Sequence, residues 1–201
     1  MEVVERKKEN RTFMLKYKKF LIPIVLLVVL VISFIFDAKI SLALSKIRNP
    51  VLDYALAVFS LNGFIMAAFF VVPITIYLFL KDKKLILKYW FSFALTLFVM
   101  IAIKMVIHRE RPFQALDLTI PAFLLSASYS VWDFSFPSNH AALSFVALPF
   151  IKGKFYWIWL AFSMLVAFSR IYFGFHYLSD VIASIIISYA VSIFVLKCEK
   201  F

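Results

Sequence analysis

Ser169-Arg170-Ile171-Tyr172-Phe173-Gly174-Phe175-His176-Tyr177-Leu178-Ser179-Asp180 sets an arginine, a histidine and a carboxylate into a chain that is otherwise nearly all apolar. A helix starting near His176 puts His176 and Asp180 at i and i+4 on one face, close enough for the carboxylate to accept a hydrogen bond from one imidazole nitrogen. The other nitrogen is then available to attack, and Arg170 stands across a short turn where it can hold an anion beside it. The same residues also fit a plain interfacial His-Asp pair with a snorkelling arginine, so the remainder of the chain has to choose between the two.

The composition makes this an integral membrane protein. Hydrophobic residues are 64% of the 201, charged residues 16%, and mean hydropathy is +0.95; soluble domains run at roughly 45–50% apolar. The net charge of +11 does not signal nucleic acid, because the basic residues fall in short clusters between apolar runs and form no face or stripe. A single cysteine, Cys198, excludes a disulfide framework or a Cys-based metal site within one chain. The sequon Asn10-Arg11-Thr12 lies in the basic leader, on the side argued below to be cytoplasmic.

Residues 1–19 form that leader, and the apolar run 20–36 follows as the first span. A cleavable signal is the alternative, but roughly 20 apolar residues suit a spanning helix better than the 7–15 of a signal's apolar core, so an uncleaved anchor is expected. Between 38 and 61, Lys39, Lys46, Arg48 and Asp53 interrupt the apolar residues, and Leu52, Leu56, Phe59 and Ser60 trace one stripe after Pro50. That pattern predicts a helix lying in the interface plane. Further spans are expected over 62–80, 85–103, 138–151, 155–169 and 176–196. The fold class is therefore all-α, a membrane bundle of six spans in one domain, 20–201, with the interfacial helix between the first two. Lys104 to Pro137, with His108, Arg109, Glu110, Arg111, Asp117 and Asp133, is the longest connection, and long connections tend to carry function. Of the 22 Lys and Arg residues, 15 fall on the side of the two termini and 7 on the other. The positive-inside rule then puts both termini in the cytoplasm and the long loop outside.

With that parity, the polar residues at the end of the third span, the start of the fourth and the turn between the fifth and sixth all emerge on the outer face. They are Lys104 with Arg111-Pro112, then Pro137-Ser138-Asn139-His140, then Ser169-Arg170 with His176 and Asp180. Three cations, two histidines, a carboxylate and a helix N-terminus suit a phosphate. Phosphoryl transfer needs a placed nucleophile and much charge stabilisation on the equatorial oxygens, and a helix start with the Ser138 hydroxyl adds donors. The loop carboxylates are scattered, so no metal is expected. A transporter would carry its ionisable residues near mid-span in broken helices. A lipid-to-lipid phosphotransferase would use the same residues and differ only in its acceptor.

Lys104-x6-Arg111-Pro112, Pro137-Ser138-Asn139-His140 and Ser169-Arg170-x5-His176-x3-Asp180 together resemble the three-part signature of the type 2 phosphatidic acid phosphatase family, the membrane branch of the superfamily that includes vanadium haloperoxidases. One position departs: the family usually has Gly where this chain has Asn139. The resemblance implies a metal-independent phosphatase without cofactor, working through a phosphohistidine. His176 would attack phosphorus, Asp180 would orient its ring and His140 would protonate the leaving oxygen. Lys104, Arg111, Ser138, the Asn139 backbone N–H and Arg170 would bind the phosphoryl oxygens. One neutral and one protonated imidazole are needed together, so a bell-shaped pH profile around about 6.5 is expected.

A charge at the bilayer centre costs at least roughly 2.5–3.5 kcal/mol, which keeps the phosphate at the outer interface while a lipid tail stays in the membrane. Small members of the family act on polyprenyl diphosphates, phosphatidylglycerophosphate, phosphatidic acid or lipid A phosphates. A polyprenyl diphosphate of the undecaprenyl type, met in the cell membrane, is the first expectation.

Overall fold

The computed structural model describes residues 2–60, 63–125 and 134–198, and side chains from Ile24 onward except those of 63, 64, 66, 67, 122 and 125. Asp133, the expected start of the second span at Asn62, the side chains of the Asn10 sequon and the end of the tail at 199–201 lie outside this description. Among the described residues all regular structure is helical: α1 Glu2–Lys46, α2 Pro50–Ala57, α3 Gly63–Lys81, α4 Lys84–Ile107, α5 Pro112–Ala115, α6 Ala122–Leu125, α7 Asn139–Phe145, α8 Lys154–Tyr172 and α9 Leu178–Lys197.

Among the described residues four stretches are long and apolar enough to cross a bilayer, Ile24–Lys46, Lys84–Ala115, Lys154–Tyr172 and Leu178–Lys197. Their outward residues, such as Ile35, Phe98, Val106 and Trp157, are exposed apolar groups, as a lipid-facing surface requires.

The first two elements differ from expectation. α1 does not end at 36 but runs on to Lys46, so Lys39 and Lys46 belong to it and not to an interfacial helix over 38–61. Nothing between 24 and 46 breaks a helix, since the segment holds neither Gly nor Pro. Its one carboxylate, Asp37, is only 3% exposed and bonded to Arg109 and Ser179, so the helix continues through it. The break comes at Asn49-Pro50: the Asn49 side-chain oxygen accepts from Leu52 N at 3.0 Å, and Pro50 opens α2. What remains of the interfacial helix is α2 plus a 3₁₀ turn at Val58–Ser60. On the expected stripe Leu56 and Ser60 are buried, while Leu52 faces out. Ser60 Oγ meets Ser169 Oγ at 2.9 Å, which docks this short arm on α8.

The expected fourth span over 138–151 is also corrected. α7 is helical only to Phe145, and a turn and a 3₁₀ segment, Leu148–Phe150 with Pro149 in its first turn, take over. α7 faces no lipid: Ala141 to Phe145 are all buried, and α3, α4, α8 and α9 pack around it. A helix that stops inside the protein leaves carbonyls without partners. Here neighbouring helices supply them, with Trp159 Nε1 and Ser163 Oγ donating to Ser144 O at 2.8 and 3.1 Å, and Ser192 Oγ to Val146 O at 2.8 Å. Around this central element Phe70, Ile74, Tyr89, Phe150, Trp159 and Val166 form the core. At the opposite end of the bundle Lys88 Nζ closes the last turn of α9 through Leu196 O and Cys198 O.

Candidate active site

Lys104 in the last turn of α4, Arg111 before α5, Ser138 before α7, Arg170 in the last turn of α8 and Asp180 in the first turn of α9 meet at one end of the bundle. His176 lies among them in the turn after α8. Gly174 takes φ +70° there, a conformation that L side chains rarely adopt. The amides of Phe175 and His176 both donate to Arg170 O at 3.0 and 3.2 Å, and Phe113 N donates to Gly174 O at 3.0 Å. These bonds fold the turn back on the end of α8 and fix where the imidazole stands.

His176 is 2% exposed, with Nδ1 at 2.7 Å from the Ser135 carbonyl oxygen and Nε2 at 3.4 Å from Arg111 Nη1. A carbonyl oxygen only accepts, so Nδ1 carries the proton and Nε2 keeps its lone pair. Burial, then the charges of Arg111, Lys104, Arg170 and His140, hold the imidazole well below its ordinary value of 6.5. The ring is therefore neutral at neutral pH.

Asp180 departs from expectation in what it bonds. α9 begins at Leu178 and not at His176, so the two residues do not share a helical face, and Asp180 Oδ2 is 3.7 Å from His176 Nδ1, beyond hydrogen-bond range. The carboxylate instead accepts from the Ser135 hydroxyl and from Tyr177 N at 2.8 Å through Oδ2, and from Arg109 Nη1 at 2.7 Å through Oδ1. It is linked to the imidazole through Ser135, whose carbonyl accepts a hydrogen bond from Nδ1–H.

The three expected cations are all buried. Lys104 Nζ donates to Phe134 O, Arg111 Nη1 donates to Phe175 O at 2.8 Å, and the Arg170 guanidinium lies over the Phe175 ring at 4.3 Å with Nη1 at 3.5 Å from Ser60 O. Buried cations around a neutral ring favour an anion in their midst.

Ser138 precedes α7 without a side-chain cap bond, so its hydroxyl is not spent on the helix end. Its amide donates to Ser184 Oγ at 2.7 Å, while the Ser138 Oγ and Asn139 Oδ1 atoms are buried and have no hydrogen-bond partner among the described residues. Buried polar atoms are normally satisfied, and a hydroxyl in this place can donate to an oxyanion. His140, in the first turn of α7, is close enough for its charge to act on His176.

Four contributors were not singled out from the sequence: Arg109, Asp37, Ser135 and Ser179. A lone carboxylate inside an apolar span was a signal for Asp37. Ser135 acts on His176 through a backbone carbonyl, which no side chain announces.

The family model of the PAP2 superfamily matches residues 85–201, more than half of the chain. Among solved structures, LpxE of Aquifex aeolicus is similar with a TM-score of 0.66 at 22% identity, over 81% of this chain and 96% of that one. The first transmembrane PAP2 type phosphatidylglycerolphosphate phosphatase from Bacillus subtilis is similar with a TM-score of 0.61 at 22% identity, over 89% and 98%. These two likenesses are of fold. A search of the curated proteins gives no match. The family match spans every residue of the site just described except Asp37 and Ser60, and with the apolar helices around it the chain is a multi-pass membrane protein that belongs to the PAP2 superfamily.

Proposed function

We propose that the chain is a metal-independent lipid phosphatase that hydrolyses a lipid diphosphate or phosphate monoester through a phosphohistidine, with polyprenyl diphosphate as its first substrate. The observation that carries this is His176: a buried, neutral imidazole whose Nε2 lone pair faces Arg111 among further cations.

In the proposed step Nε2 attacks phosphorus, and the bond from phosphorus to the lipid-side oxygen breaks. Protonated His140 gives its proton to that oxygen. Lys104, Arg111, Arg170, the Ser138 hydroxyl and the Asn139 backbone N–H hold the phosphoryl oxygens as charge moves onto them. Water then attacks phosphorus and yields a proton to His140, the P–N bond breaks, and neutral His176 and inorganic phosphate are regained. For a diphosphate the first leaving group is the lipid monophosphate.

Three buried cations favour a diphosphate over a monoester, which carries less charge. The Bacillus subtilis neighbour is described as a phosphatidylglycerolphosphate phosphatase, which keeps that monoester as the second reading. The uneven Lys and Arg distribution supports cytoplasmic termini, a basic leader over 1–19 and a site on the extracytoplasmic face of the cell membrane. Phosphate release by purified protein from a panel of lipid mono- and diphosphates, in EDTA, tests the proposal. The largest kcat/KM is expected on polyprenyl diphosphate. No release from any member of the panel overturns the phosphatase reading, and release that needs a second lipid as acceptor makes the protein a phosphotransferase.

A further inference from the structure

Arg109 is the centre of a network that the proposed chemistry does not yet use. Its Nη1 donates to Asp180 Oδ1 and to Ser179 Oγ, both at 2.7 Å, and its Nη2 to Asp37 Oδ2 at 2.8 Å. Its carbonyl accepts from Ser135 N at 2.7 Å. Its guanidinium is stacked at 3.9 Å from the Tyr177 ring centre and 5.0 Å from that of Phe34. Ser135 in turn bonds Asp180 through its hydroxyl and His176 Nδ1 through its carbonyl. Arg109, Asp180 and Ser135 thus form a closed ring with the nucleophile hanging from it.

The far anchor of that ring is on α1. Asp37 is buried, is the one carboxylate between 24 and 46, and accepts from Ser179 N at 3.0 Å and from the Ser179 hydroxyl as well as from Arg109. An ionisable residue within an apolar span is costly and is retained where it has a partner and a task. α1 lies wholly outside residues 85–201, so this contribution comes from the part of the chain that the family match leaves uncovered.

We propose that Arg109, locked to α1 through Asp37, is a positioning residue for the active site. It holds Asp180 and Ser135 in place, and through them the Nδ1 proton and the Nε2 lone pair of His176. The inference rests on the phosphohistidine reading above. The groups facing His176 are Lys104 from α4, Arg111 before α5, His140 from α7, Arg170 from α8 and Asp180 from α9. Arg109 and Asp37 reach it only through Asp180 and Ser135, so their removal acts on orientation and on local charge and not on phosphate binding.

The test is steady-state kinetics of Arg109→Gln, Asp37→Asn and the double variant on the best lipid phosphate of the panel, each checked as a monodisperse protein. Arg109→Gln is expected to lower kcat about 10- to 100-fold, as loss of an orienting partner does, with KM within about threefold of wild type. With one cation fewer beside Asp180, the acid limb of kcat/KM moves to higher pH. Because Asp37 works through Arg109, the double variant is no slower than Arg109→Gln alone, and its acid limb returns toward that of wild type.

Lys88→Gln, which loosens the opposite end of the bundle, lowers the melting temperature and leaves the pH profile in place. Losses that multiply in the double variant, or a rise in KM with kcat retained, overturn the positioning role. Should Arg109→Gln fail to fold, Arg109→Lys carries the test: a cation that cannot bridge Asp37, Ser179 and Asp180 together loses kcat, and wild-type kcat there contradicts the inference. His176→Ala run alongside separates the two readings, since activity in that variant removes the phosphohistidine itself, whatever Arg109 does.

Discussion

His176 has its proton fixed on Nδ1 by the Ser135 carbonyl and its protonated form disfavoured by burial and surrounding cations. Two measurements follow from that sign. The acid limb of kcat/KM, which reports the free enzyme, is expected below the ordinary imidazole value of about 6.5. The unfolded chain takes up this proton before the folded one does. Stability contributed by the neutral ring is therefore fully present above about 6.5 and is lost as pH falls below it. Thermal melting against pH shows that slope in wild type, and His176→Gln lacks it. Asp180→Asn keeps its size but accepts poorly from Arg109 and Ser135, and is expected to lower kcat by roughly 10² to 10⁴; a fall under tenfold contradicts its orienting role. Asn139 tests the departure from the family pattern. If it serves through its backbone N–H, Asn139→Gly stays within about tenfold in kcat/KM, or about 1.4 kcal/mol. A folded variant slowed more than about a hundredfold makes the carboxamide a catalytic group. The eight residues expected from the sequence, Lys104, Arg111, Ser138, Asn139, His140, Arg170, His176 and Asp180, could be picked out because charged and polar side chains are conspicuous in an apolar chain, and the fold gathers them at one end of the bundle. The acceptor of the His176 proton could not be picked out, because it is a main-chain oxygen brought in from 41 residues away.

Among the elements, the turn after α8 carries the site. Ala at Gly174 would have to hold φ +70°, and its Cβ would stand 3.2 Å from Leu118 Cδ1. Gly174→Ala is expected to cost about 1–2 kcal/mol from the left-handed conformation alone, and to lower kcat by moving the amide of His176 off Arg170 O. Gly153→Ala is the contrast. Its φ is +67° with nothing within 4 Å, and it sits in the turn before α8, so it should cost stability while leaving kcat unchanged. Equal kcat losses in the two variants would show a general loosening and not a local effect. Helix ends with strong local signals were read well: Lys81 to Lys84 between α3 and α4, and Gly153 before α8. α1 and α7 were misread because tertiary partners decide them. Asp37 and Lys39 look like an interruption until Arg109 and Ser179 neutralise the carboxylate. α7 looks like a short span until its carbonyls are met by Trp159, Ser163 and Ser192.

At the scale of the molecule, the helix ends that carry Lys104, Arg170 and Asp180 share one end of the bundle, and Lys88 and Cys198 mark the other. From the Lys and Arg distribution we propose that the first lies outside. Cysteines placed near Asp117 should react with an impermeant reagent applied to intact cells, and cysteines near Lys83 only after lysis; the opposite pattern reverses the topology. On the proposed route His176 takes the phosphoryl group. A phosphorus–nitrogen bond to imidazole is labile in acid and persists in alkali, so turnover on a lipid phosphate in EDTA should be quenched with alkali and the protein digested for mass spectrometry under basic conditions. A phosphate on the peptide carrying His176, lost on acidification and absent from His176→Ala, which also releases no phosphate, is the predicted result. Turnover by His176→Ala, or loss of wild-type turnover on chelation, would contradict it.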